Sequence, residues 1–184
     1  MKTPIILITL LLLTGSAMAQ NPAPATPPSG SILVLNGKAH LGNGTVIENS
    51  AIGFENGKLT LVADATNIRL KKDSYSKVID AAGKHVYPGL FDADTDIGLV
   101  EVMSVRATVD MAETGSTNPN VRARAAYNAD SEWIPVTRAN GVLTAMTAPS
   151  GGLLCGLGSV MSLDGWNWEE ATLRGDGAMY VNWP

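Results

Sequence analysis

The 184-residue chain carries 13 Lys and Arg against 17 Asp and Glu, for a formal net charge of −4. That acid excess argues against nucleic acid as a partner, since phosphate recognition needs clustered Lys and Arg and the two basic clusters, Lys71-Lys72 and Arg122-Ala123-Arg124, are small. The single cysteine, Cys155, excludes any intrachain disulfide.

Residues 1–19 read as a secretory signal, with Lys2 as the positive start, an apolar run over 5–13 and the small-residue pattern Ala17-Met18-Ala19 before the cut. The apolar run falls well short of the ~20 residues that cross a bilayer, so no membrane span is expected once the signal is removed. No cysteine follows the cleavage pattern, which argues against a lipid anchor. The expected location is outside the cytoplasm, either periplasmic or extracellular.

Residues 20–30 hold Pro22, Pro24, Pro27 and Pro28 among Ala, Ser and Thr, and read as an extended linker. From Ser31 the pattern changes to short apolar runs over 32–35, 51–54, 58–62 and 77–79. They are broken at Asn36-Gly37, Gly42-Asn43-Gly44 and Asn56-Gly57, the last of which predicts a two-residue hairpin turn. Residues 31–85 therefore predict a small antiparallel, sandwich-like β module. His40 falls in an early hairpin and His85 just before Pro88-Gly89, and both are expected to be structural or surface residues.

The next run is Val86-Tyr87-Pro88-Gly89-Leu90-Phe91-Asp92-Ala93-Asp94-Thr95-Asp96. Side chains on a strand alternate faces, so Asp92, Asp94 and Asp96 are expected on one side. Three carboxylates there are either a site for a hard cation such as magnesium, calcium or manganese, or a polar remnant that binds nothing. The remnant is favoured, since coordination needs several more ligands and histidine is nearly absent.

This run, with Val78-Ile79-Asp80-Ala81-Ala82-Gly83-Lys84 before it, resembles the opening of the amidohydrolase superfamily. There a β module leads through Ile-Asp-Ala-x-Gly-Lys to Pro-Gly and then His-x-His at the start of a TIM-type barrel. The resemblance covers residues 31–96 and places Asp94 and Asp96 where the family's two metal-binding histidines stand. It implies an α/β fold: a β-sandwich-like domain followed, over 86–184, by an incomplete TIM-type (β/α) barrel. A full barrel takes about 250 residues, so the chain is expected to be the N-terminal portion of a longer protein. The family's later ligands, a carboxylated lysine, two histidines and an aspartate, have no counterpart motifs here.

Beyond Asp96, residues 110–129 show no clear periodicity and are expected to form a long loop over the barrel mouth. Ser131 can cap a helix over about 132–140 with Pro135 in its first turn, and Gly141 then ends it before a strand at 142–147. Val105-Arg106-Ala107-Thr108, Asn118-Pro119-Asn120-Val121-Arg122-Ala123 and Leu163-Asp164-Gly165-Trp166-Asn167-Trp168-Glu169 resemble an exported bacterial amidohydrolase-like subgroup that tends to lack the first His-x-His.

Glu101, Asp110 and Glu113 are further carboxylates for the barrel mouth, with surface charge as the default. Cys155 lies in an apolar, glycine-rich run and reads as a small buried thiol, because a nucleophile needs an activating base. Pro149-Ser150-Gly151-Gly152 and Gly156-Leu157-Gly158-Ser159 read as turns rather than anion nests. Trp166, Trp168, Trp183 and Tyr180 are expected to pack against further barrel segments in preference to lining a pocket.

The resemblance implies hydrolysis of carbon–nitrogen bonds other than peptide bonds, with a divalent metal in a longer form of the protein. The chain alone is expected to be inactive. Its implied partners are the remaining barrel portion or a second subunit, and a small-molecule substrate. The alternative is a noncatalytic binding or assembly protein with a degenerate metal site.

Overall fold

The computed structural model describes residues 29–183. The signal expected at 1–19 and the linker up to residue 28 lie outside the described residues. The described chain is mostly β-sheet with few helices, and divides into two compact units whose boundary along the sequence falls between Gly89 and Leu90.

The first unit is one five-stranded sheet. β1 (Ser31–His40), β2 (Val46–Glu55) and β3 (Lys58–Asp64) form an antiparallel meander. At the β2–β3 turn Asn56 and Gly57 both take positive φ, at 48° and 76°. Two consecutive left-handed residues match the right-handed strand twist, which is why Asn-Gly makes the predicted hairpin here. On the other edge of β1 lie β4 (Lys77–Asp80) and β5 (His85–Val86), both parallel to it.

The module is thus mixed, where an antiparallel one was expected. A parallel partner requires a crossover, and residues 65–76 provide it across one face of the sheet. In doing so, Ala65, Ile68, Leu70 and Tyr75 cover the buried Leu33, Leu35 and Ala51. Among the described residues, this segment stands where the second sheet of a sandwich would, so one sheet suffices to bury the core.

In the second unit, β6 (Leu90–Thr95) pairs in parallel with β7 (Val142–Thr147). Between them the helix α1 (Trp133–Ala139) buries Ile134. Ser131 Oγ accepts the Trp133 N–H at 3.3 Å, and the Gly141 N–H closes the last turn on the Arg138 carbonyl at 2.9 Å. The expected helix and strand therefore form, with the helix about one residue shorter at each end. Arg138 holds α1 to Asp164 through an ion pair.

After β7 come β8 (Leu154–Leu157), β9 (Ser159–Ser162), a one-turn helix α2 (Trp168–Ala171), β10 (Thr172–Arg174) and β11 (Met179–Val181). The main sheet has the order β10-β9-β7-β6, with β9 and β10 antiparallel additions, and β8 and β11 form a separate ribbon. The described residues do not form a TIM barrel; the parallel β6–α1–β7 passage is their barrel-like part. Its core gathers Ile97, Tyr127, Ile134, Ala145, Met161, Leu163 and Ala171. Residues 110–129 form no strand or α-helix, only a 3₁₀ turn at Ala123–Ala126, and bridges from Ala112 to Ser150, Thr117 to Leu154 and Arg122 to Leu157 tie them to the segment after β7 and to β8. Among the described residues no helix is long and apolar enough to cross a membrane.

Candidate functional site

The C-terminal ends of β6 and β7 open into a cleft of about 480 Å³. Asp94, Thr95 and Asp96 line it from the β6 side, and Ala148, Pro149 and Ser150 from the β7 side. The β8–β11 ribbon completes the wall: opposite Gly156, strand β11 presents Tyr180, and Asn182 follows it. Asn182 is fixed by its side chain, whose Nδ2 donates to the Gly152 carbonyl at 2.9 Å and to Cys155 Sγ at 3.4 Å. Cys155 is buried, as expected, and no imidazole lines the cleft beside it.

Asp94 and Asp96 share this cleft, but Asp92 is not part of its lining. The period-of-two expectation fails because the β6–β7 register shifts between Asp92, opposite Ala145, and Thr95, opposite Thr147. Three residues of β6 advance against two of β7, so an extra residue re-aims the strand end, as bulges do. Asp92 is half-buried and its Oδ1 accepts the Asp94 N–H at 3.4 Å, while Asp94 and Asp96 are exposed.

Tyr180 lies against these carboxylates. Its hydroxyl donates to the Ala93 carbonyl at 3.3 Å. Burial, then the charge of Asp94 and a hydrogen bond to it, then the charge of Asp92, push this phenol above its ordinary pKa. Tyr180 therefore stays protonated and remains a hydrogen-bond donor. The close approach of its ring requires Gly158, where a Cβ would stand 2.6 Å from Tyr180 Cε2. Sequence reasoning assigned Tyr180 to packing, and the pairing of β11 with β8 that brings it to the cleft has no local signature.

A second cleft of about 330 Å³ shares Thr95, Asp96 and Met103 with the first and is lined also by Glu101, Trp133 and Thr137. Glu101 is tied into the structure: its Oε1 accepts from Asn128 Nδ2 at 3.2 Å, and its carbonyl accepts from Trp133 Nε1 at 3.2 Å. Asp110 and Glu113 are exposed and line neither cleft. Trp166, Trp168 and Trp183 are exposed as well, the last at 91%.

The cleft's charged lining is two carboxylates without Lys, Arg or His, so it favours cationic or hydrogen-bonding ligands. It does not by itself make a metal centre. Among the described residues no group of three or more His, Cys, Asp or Glu side chains gathers, and two exposed carboxylates are an incomplete donor set even for a hard cation.

No family model and no curated protein matches the sequence. The fold is similar to the crystal structure of an amidohydrolase from Thermotoga maritima MSB8, with a TM-score of 0.72 and 26% identity, over 82% of this chain. The chain spans 38% of that protein's length. A molinate hydrolase aligns at 24% identity and TM-score 0.35, over 42% of this chain and 16% of its own. A prolidase complexed with N-methylphosphonate-L-proline aligns at 20% identity and TM-score 0.31, over 39% and 17%. Fold similarity at those two levels carries no functional weight. Over most of its length, then, this chain is similar in fold to part of an amidohydrolase.

Proposed function

We propose that this chain is the N-terminal portion of an exported hydrolase of the amidohydrolase kind, acting on carbon–nitrogen bonds other than peptide bonds in a small molecule. One observation carries this reading: Asp94 and Asp96 stand with Ser150, Tyr180 and Asn182 around a cleft at the C-terminal ends of the parallel strands β6 and β7. Barrel enzymes place their active sites at that end of the strands. The similarity to the Thermotoga amidohydrolase supports the same reading.

In this proposal the residues divide the work. The Tyr180 hydroxyl oxygen and Asn182 Oδ1 accept hydrogen bonds from polar groups of the substrate, and the two carboxylates attract a cation or accept a proton. A divalent metal, if bound in the longer protein, would polarise the scissile group and activate water, with most of its ligands coming from outside this chain. Exposed Leu90, Phe91, Leu143 and Leu173 on the main sheet support a cover of further barrel segments or a second subunit. Export rests on the signal pattern of residues 1–19.

A second reading, a noncatalytic binding or assembly protein with a degenerate metal site, is favoured by the donor exchange itself. Carboxylate oxygen at positions 94 and 96 is poorly matched to zinc. The test is to purify the protein from its source organism, measure its metal content and assay a panel of linear and cyclic amides. Stoichiometric metal with turnover, both reduced ~10-fold or more in the Asp94→Asn, Asp96→Asn double variant, is the expected result. Folded protein without metal and without turnover would replace the enzyme reading by the second.

A further inference from the structure

The chain's two histidines meet in the β module. Strand β5 runs parallel to the end of β1, with Lys38 opposite His85 and Ala39 opposite Val86. That register brings His40 Nε2 within 2.8 Å of His85 Nδ1. The ring planes are 16° from parallel with centroids 5.1 Å apart, so the imidazoles meet nitrogen to nitrogen, edge on. Tyr87 lies over His40 at a centroid distance of 4.4 Å and 10°, and its hydroxyl oxygen is 3.4 Å from His85 Nδ1. Stacking on one ring and contact with the other hold both imidazoles facing each other. His85 is exposed and His40 half-buried, which leaves the pair open to dissolved ions.

We propose that His40 and His85 form a surface site for a divalent transition-metal ion of the zinc, copper or nickel class. Imidazole nitrogen suits these ions. Two ligands at zinc-to-nitrogen distances of ~2.0–2.1 Å with tetrahedral angles have their nitrogens about 3.3 Å apart, so the 2.8 Å separation must open by about half an ångström and both rings must turn until their lone pairs, now aimed along the line between the nitrogens, converge on the ion. In the neutral pair, one ring donates its N–H to the other. To bind the ion, the donating ring moves that proton to its other nitrogen, so both lone pairs face the metal and no net proton is released. Water completes the coordination, with the Tyr87 hydroxyl close enough to join. All three residues belong to one compact unit and draw on nothing in the Asp94–Asp96 cleft.

The test uses the chain without a polyhistidine tag, carrying Asp94→Asn and Asp96→Asn to keep the cleft carboxylates from competing. Zinc chloride is titrated while the histidine ring resonances are followed by NMR and the heat by calorimetry. Because the chain has two histidines, the ring spectrum reports this pair alone. The expected result is that both rings shift together and saturate at one zinc per chain, and that His40→Gln or His85→Gln weakens binding ~10-fold or more. Movement of one ring alone, or equal zinc affinity in the double His→Gln variant, would overturn the site.

Discussion

Replacing Tyr127 by Phe is expected to stabilise the protein. The ring sits in the main core at 5% exposure, and its hydroxyl has no hydrogen-bond partner among the described residues. A buried polar group without a partner costs about 1–3 kcal/mol. Removing one oxygen leaves only a small void, so a net gain of about 1 kcal/mol at about pH 7 follows. The gain is pH-dependent, because burial pushes the Tyr127 hydroxyl up to about 12. A raised folded-state pKa contributes stability that is fully present below the unfolded value near 10 and is lost as pH rises toward the folded one. By about pH 11 the wild type has lost about 1 kcal/mol that the Phe variant keeps, so the gap between them widens to about 2 kcal/mol. Urea unfolding followed by tryptophan fluorescence at the two pH values measures both numbers. A variant less stable by 1 kcal/mol or so at neutral pH, or a gap that does not grow in alkali, would refute the unpartnered hydroxyl.

Two other outcomes follow from particular contacts. Gly158→Ala places a methyl 2.6 Å from the Tyr180 ring and 3.1 Å from the Thr147 carbonyl, and overpacking of this kind costs about 1–3 kcal/mol, read as a lower unfolding midpoint. Asp80 is held below its usual 3.8 by the Asn36 side chain first and the Ala82 N–H second, so its contribution to stability is present above that value and lost as pH falls through the lowered one. Asn36→Gly keeps the positive backbone φ of 64° but removes the donor, and a carboxyl NMR titration should find the Asp80 midpoint moved up toward the usual value; no movement would mean that Asn36 does not hold the charge.

What the sequence made legible is local. Asn56-Gly57 specifies its turn because two adjacent residues must adopt positive φ, and Ser131 with Gly141 brackets α1 because helix ends need partners for their backbone groups. What stayed hidden is pairing between distant segments. The register shift between Asp92 and Thr95 depends on β7, some fifty residues later, and it divides three aspartates that strict alternation had put on one face. The contact between His40 and His85 likewise depends on a parallel pairing across the crossover, which leaves no periodic mark in either strand. Tyr180 reaches the cleft only through the β8–β11 ribbon.

The sharing of one side of β1 between β4 and β5 bears on self-association. A free sheet edge is a template for an incoming strand from another molecule. Here the edge beyond β1 consists of pieces of four and two residues, interrupted at 81–84, so a foreign strand finds no long continuous ladder there despite the exposed Val78 and Ile79. The opposite edge, β3, is seven residues long and begins at Lys58 and ends at Asp64, charges that an added strand would have to accommodate. Within this unit, interruption on one edge and flanking charge on the other discourage sheet-to-sheet growth.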